Sequence, residues 1–441
     1  MARKKNKASA LPISPCYAVY LSLDQSADPD AEDDDIETSS ICSSESNVST
    51  NRSELQSNAK AIADLRTELE HTSMELMNPR PASRITALKS IHKVIQKFFL
   101  DLDSEPSVVN SISLNLESVF KKGVDLEKLL ACSIICSIVV QVGPDLTESL
   151  LRNYKALLQH YVKDNSLQPS LRGSAAVALS VLVWQAPEEL DPETTKEILT
   201  LLANVFKTAC LKGDGKSPVH AEAMCNMQVD AISSWMRVLI SAPGDLGAEL
   251  GEAAIPQLVS ILQNVNVNLR IEAAEALAIV FELIREEKRV HYQGPYYKQI
   301  LIHLDDLISE SSKAISKKDK KKQRTSLRPV LSSIRTQDHP EVRLKLGNEQ
   351  LLLDTCVLNF YYESLCDVLA QSVNNHLLFN PYVRDMFDLG PPVKREDQAN
   401  GENKESKAQR QFVHQIVSKD RHINRQYNRN KKASFQNRFD E

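Results

Sequence analysis

Glycine is scarce in this chain, with 12 among 441 residues. So few glycines exclude a fold made of phosphate-cradling loops or of many tight β-turns. Aromatic residues supply only 5% of the chain. No stretch approaches the roughly 18–20 uninterrupted apolar residues of a membrane span, so no membrane partner is expected. The eight cysteines have no framework spacing. Cys132 and Cys136 lie one helical turn apart in an apolar run, which reads as buried thiols in a reducing compartment. Cys16–Leu23 follows a basic start but is short and lacks a small-residue cleavage site, so secretion is not expected.

The motifs of common chemistries are missing too. Gly215-Lys216-Ser217 has the ending of a phosphate-binding loop, but Cys210 stands where its first glycine belongs. No nucleophile elbow and no His-Glu-x-x-His occurs. Cys356, Cys366 and His376 are spaced by ten. On one helix that puts neighbours about 15 Å apart, too far to share an ion. No catalytic residue, metal, cofactor or small-molecule substrate is expected, and the chain is read as a non-enzyme.

What is present is a repeat. Ala87, Ala131, Ala175, Ala231 and Ala273 each stand in the fourth position of an apolar helical stretch, separated by 44, 44, 56 and 42 residues. Arg84, Lys128, Arg172, Gln228 and Arg270 open those stretches. A period in the low forties suits stacked helix pairs of the armadillo/HEAT kind. The long step is explained by an insertion at 210–218. A small residue at each anchor lets neighbouring helix axes approach closely. The arginines either clasp a neighbouring loop or stand in solvent.

Proline, glycine and apolar spacing divide the repeats into pairs. These are Asn58–Asn78 with Pro81–Phe99, Pro106–Lys122 with Asp125–Val142, Asp145–Asp164 with Pro169–Gln185, Pro192–Cys210 with His220–Ile240, and Asp245–Gln263 with Asn268–Glu287. Asp125 is a candidate N-cap. Tyr296–Ser312 reads as a sixth, truncated unit. The expected architecture is an all-α helical-repeat solenoid over 57–312, followed by a small helical domain over 313–393. Within the latter, Leu351–Leu378 has helical spacing, with Phe360, Tyr361, Tyr362 and Leu365 as candidate core.

Charge runs along the chain. The net charge of −5 combines −13 over residues 1–312 with +8 over 313–441. Residues 1–56 form an acidic, serine-rich leader that cannot build a core. Ser39, Ser40, Ser43 and Ser44 there are candidate phosphate acceptors. Lys317, Lys318, Lys320, Lys321, Lys322, Arg324 and Arg328 crowd one short stretch against Asp319. That stretch is either a solvated linker, a nuclear import signal or a phosphate patch. In the tail over 394–441, Arg421, Arg425 and Arg429 recur at i, i+4, i+8, with Lys432 beyond. On a helix they make one basic stripe suited to RNA phosphate, with Phe412, Tyr427, Phe435 and Phe439 for stacking. A charged tail of no fixed structure is the other reading.

Four stretches together resemble the interferon-related developmental regulator family. Val265–Leu283 resembles its last full armadillo-like helix. Lys320–Arg328 is similar to its basic element, and Val383–Val393 to its closing motif. Ile36–Thr38 within the acidic leader also fits. The resemblance spans about 30–393, with the tail beyond it less family-like. It implies an armadillo-like fold, a small C-terminal domain and no enzymatic activity. It further implies ribosome binding with repression of translation, or nuclear co-regulation of transcription through deacetylase-type complexes. The expected partners are therefore the ribosome or RNA, and proteins of gene-regulatory complexes. The expected location is both cytoplasmic and nuclear.

Overall fold

The computed structural model describes residues 59–392, apart from 187–190, 243–244, 288–290, 311–314, 338 and 347–348. The acidic leader and the basic tail lie outside the described residues. Helices pair along the chain: α1 (Ala59–Met74) with α2 (Pro81–Lys97), α3 (Pro106–Lys122) with α4 (Asp125–Val139), and α5 (Pro144–Lys163) with α6 (Pro169–Gln185). Then follow α7 (Pro192–Phe206) with α8 (Glu222–Ile240), α9 (Leu246–Ile261) with α10 (Val267–Glu287), and α11 (Tyr297–Ser309) with α12 (Lys317–Thr336). Proline opens α2, α3, α5, α6 and α7, where a missing N–H costs nothing. The second helix of each pair packs on the second helix of the next, giving one continuous row from α2 to α12. The fold is the expected helical-repeat solenoid.

The five anchor alanines all lie on this row, and all are buried. Ala175 and Ala273 have no solvent exposure. Enlarging either to leucine should overpack a crossing and cost roughly 1–3 kcal/mol. Urea denaturation measures this directly; an unchanged midpoint in both variants would show that these crossings have room to spare.

The anchor arginines clasp loops. Arg84 Nη1 donates to the Asn78 and Pro79 carbonyls at 2.8 and 3.1 Å. Arg172 donates to the Val162 carbonyl from Nε and Nη2. Arg270 Nε donates to the Asn264 carbonyl. Each guanidinium thus satisfies carbonyls left open where the preceding segment ends. Buried amides do the same work between repeats. Gln141 donates to the Ile95 and Phe98 carbonyls and accepts from Leu100 N. Asn264 donates to the Ala209 carbonyl at 2.8 Å.

Three expectations need correction. Asp125 does not cap α4: Val124 occupies the N-cap, and Glu127 accepts from its backbone N–H at 2.7 Å. The boundary expected after 312 falls inside a helix pair, because α12 completes the sixth repeat. Gln323, Leu327, Val330 and Ile334 bury one side of α12 at helical spacing. Leu351 does not begin a helix. Val342–Leu346 (β1) and Glu349–Leu353 (β2) form an antiparallel hairpin, with Leu344 opposite Leu351. The helix starts at Cys356, where the Thr355 hydroxyl accepts from Leu358 N.

After the hairpin come α13 (Cys356–Leu369), α14 (Val373–Phe379) and α15 (Pro381–Met386). These form a strap that runs back along the row of second helices. Near α10, Glu282 accepts from Cys356 N at 2.7 Å. Mid-way, Tyr361 packs against Trp184 of α6 with ring centres 5.1 Å apart and planes tilted by 44°, and Arg237 of α8 donates to Ser364. At the far end, Gln96 of α2 donates to the Val368 carbonyl, and Asn380 donates to the Val140 carbonyl. Tyr382 then reaches Asp103 at 2.7 Å. Phe360, Tyr362 and Leu365 are buried, whereas Tyr361 is half-buried. The strap shares the core of the repeats, so the last described segment is not a separate body.

Candidate nucleic-acid interface

The basic element of the sequence is the first half of α12. Ser316 caps it, accepting from Asp319 N at 3.0 Å. Five lysines then fall within its first two turns, at the positive end of the helix dipole. Like charge there is unfavourable, and Asp319 is the only acid of the first turn. The helix is held in place by its apolar side and by Gln323, which donates to the Leu307 carbonyl and to Glu310. A segment so anchored presents a fixed surface.

The structure divides the predicted residues. Lys317, Lys321, Arg324 and Arg328 share one exposed stripe, lying within about 60° of arc at 3.6 residues per turn. Arg335 continues it but is paired with Asp305 at 2.5 Å. Arg324 is committed in part, donating to the Ile308 and Glu310 carbonyls. Lys318 is exposed beside the stripe, and Lys320 is half-buried. Among the described residues, the side chains of Lys317, Lys318, Lys321 and Arg328 make no ion pair or hydrogen bond. These four are open to an anion.

Lys322 points the other way. Its Nζ donates to Asn268 of α10 at 2.7 Å. Burial lowers its pKa, opposed by the nearby Glu272 and Glu275 carboxylates. It is an internal tether of the helix. The sequence run gave no sign of this, because the inward direction depends on which turn faces α10. Arg421, Arg425, Arg429 and Lys432 lie outside the described residues, so they are not placed relative to α12. On the hairpin, Arg343 and Lys345 are exposed by strand alternation; Arg343 is paired with Glu341 at 2.6 Å, so Lys345 is the one that adds basic surface that sequence spacing alone did not single out.

One constellation has the look of a nucleophile and base. His339 Nδ1 lies 2.9 Å from Ser333 Oγ and 3.5 Å from Cys356 Sγ. Burial drives the Cys356 pKa well up, and Glu282 adds to the effect. A thiol kept protonated and enclosed lacks the reactivity of a catalytic cysteine. Cys132 and Cys136 are likewise buried, with the Cys136 thiol pushed up to about 12. His376 is not near Cys356. It bonds the Gln96 carbonyl at 3.2 Å, and burial lowers its pKa to about 4. Among the described residues no group of three His, Cys, Asp or Glu side chains is placed to hold a metal. None of the described helices is long and apolar enough to cross a membrane.

Comparison with known proteins gives two family matches. The model described as interferon-related developmental regulator matches residues 38–335. The model described as interferon-related protein conserved region matches 380–433. The second extends the family region well beyond 393, over the basic tail that had read as less family-like. The chain is 26% identical over 372 residues to interferon-related developmental regulator 1 of Homo sapiens, covering 82% of this chain and 80% of that one. It is 30% identical over 278 residues to interferon-related developmental regulator 2 of Mus musculus, covering 63% and 62%.

Proposed function

The chain belongs to the interferon-related developmental regulator family, and on that premise we propose that it is a non-enzymatic regulator of gene expression that binds ribosomes or RNA and represses translation. The observation that carries this reading is the set of unpaired cations Lys317, Lys318, Lys321 and Arg328 on a helix anchored to the repeats. Phosphate is the anion that such a stripe and a helix N-terminus both favour. The basic tail, with Arg421, Arg425, Arg429 and Lys432, supplies a second contact on the same RNA.

A second reading is a nuclear co-regulator working through deacetylase-type complexes. It draws on the net negative charge of the repeats, which suits basic protein partners. The location proposed is cytoplasmic for the first role and nuclear for the second.

Salt dependence tests the RNA contact. Each phosphate contact on single-stranded RNA contributes about 0.7 to the slope of log K against log salt. Changing Lys317, Lys321 and Arg328 together to Gln should therefore flatten the slope by about 2. The same change at Arg421, Arg425 and Arg429 reports the tail. An unchanged slope in the first variant would remove α12 from the interface.

A further inference from the structure

Where α8, α10, α12 and the strap meet, carboxylates outnumber cations. Asp230 and Arg237 come from α8, Glu272 and Glu275 from α10, Lys322 from α12, and Glu363 and Asp367 from α13. From the neighbouring α6, Ser180 lies within 3.5 Å of Arg237 Nη1, and Gly173 packs on Asp230 beside the buried Arg172; Cys136 of α4 also faces Arg237. Asp319 and Lys318 act on Lys322 from the solvent side. Five acids therefore face two cations, across a junction that joins the strap to the repeats.

The two cations are already engaged. Arg237 Nη2 lies 3.8 Å from Asp367, and its Nε donates to Ser364 at 3.1 Å. Lys322 donates to Asn268. On α13, Glu363 accepts from Asn359 at 3.0 Å. On α10, Asn268, Glu272 and Glu275 share one face at i, i+4, i+7. On α13, Asn359, Glu363 and Asp367 share one at i, i+4, i+8. The strap thus presents acids to acids. Full ionisation of both faces would set like charges against each other in a region of low dielectric.

We propose that this junction is a proton-dependent latch: protons held by Glu272, Glu275 and Glu363 keep the strap on the repeats, and losing them loosens it. The direction of titration agrees. Burial raises Glu272 to about 8, with Asp367 and Glu363 adding to it. Burial and Asp367 raise Glu363 to about 7. Glu275 is raised in the same sense by burial, then by Glu363 and Glu272. These are acids whose folded values lie above their ordinary ones. The strapped chain therefore binds more protons than the chain with the strap lifted, from the ordinary carboxylate range up to about 8. The strap's hold is full at the acid end of that window and declines as pH rises through it.

Trp184 is the natural reporter, because its ring packs against Tyr361 of the strap. The chain has one other tryptophan, Trp235, which lies in the core. In the full chain carrying Trp235→Phe, urea unfolding followed by Trp184 emission should show a lower midpoint at pH 8.5 than at pH 6.5. At pH 8.5 that transition should also precede the loss of helix seen by circular dichroism. Glu272→Gln with Glu363→Gln imitates the protonated junction. That double variant should raise the pH 8.5 midpoint to its pH 6.5 value. Equal pH dependence with and without the double change would overturn the proposal, as would a double variant less stable at pH 8.5. If Trp235→Phe does not fold, hydrogen exchange of peptides from 356–369 in the otherwise natural chain reads the same opening. Exchange corrected for its intrinsic pH dependence should then quicken between pH 6.5 and 8.5, and the double Gln change should remove that increase. A corrected rate that stays flat would equally overturn it.

Discussion

Replacing Arg84 by alanine should destabilise the protein by about 3–5 kcal/mol, the usual consequence of stranding a buried charge. The charge is Glu127, whose side chain is fully buried. Arg84 meets it with two parallel bonds, Nε to Oε1 at 2.6 Å and Nη2 to Oε2 at 3.1 Å. Arg84 also holds the loop at Asn78 and Pro79, so this one side chain adds a second link between the first two repeats to that made by Gln141. Lysine cannot reproduce the planar fork, and Arg84→Lys should recover only part of the loss. Removing both charges, as Arg84→Met with Glu127→Leu, should recover most of it, because an apolar pair leaves no charge unmatched. Urea midpoints of the three variants decide the point. An Arg84→Ala protein as stable as the natural one would mean that Glu127 is satisfied by other means.

Ending the chain at Asp354 should have the larger effect. The strap buries Phe360, Leu365, Leu369, Val373, Leu377 and Phe387. Each such side chain contributes about 1.5–3 kcal/mol when buried. Their sum reaches or exceeds the roughly 5–15 kcal/mol by which a domain is stable. The shortened chain should keep much of its helix by circular dichroism, yet lose a cooperative thermal transition and bind a dye that reports exposed apolar surface. A sharp transition like that of the whole chain would show that the repeats stand without the strap.

The repeats were legible because their signal is local. Proline and glycine mark the ends of helices, and the anchor alanines recur every 42 to 44 residues apart from the one step of 56 lengthened by an insertion. The sixth repeat was only half legible. Its second helix carries Lys317 to Arg328, and this density of charge hides an apolar side reduced to Leu327, Val330 and Ile334 beside a buried Gln323. The hairpin could have been read from Val342-Arg-Leu-Lys-Leu346, which alternates strictly. Its partner strand ends in three consecutive leucines, and these joined smoothly to the helical spacing that follows. The path of the strap had no local signal. Gln96 bonds Val368, and Arg237 bonds Ser364, across long separations that spacing cannot register. The same limit applies to Lys322, which is one of seven similar residues in sequence and the one turned toward Asn268 and Glu275. In the candidate interface, the stripe was foreseeable from i, i+4, i+7 spacing. Which of its members remain free was not, because Arg324 is engaged by carbonyls of residues 308 and 310.

Sedimentation of cell extracts through sucrose tests the central claim most directly. The natural chain and the form with Lys317, Lys321 and Arg328 changed to Gln are compared at one salt concentration. Circular dichroism first establishes that both are folded. The natural chain should travel with the ribosomal fractions, and the triple variant should stay near the top of the gradient. A natural chain absent from the ribosomal fractions and recovered with a nuclear deacetylase complex would contradict the claim in favour of the second reading. A triple variant that sediments with ribosomes as fully as the natural chain would contradict the assignment of the contact to this helix.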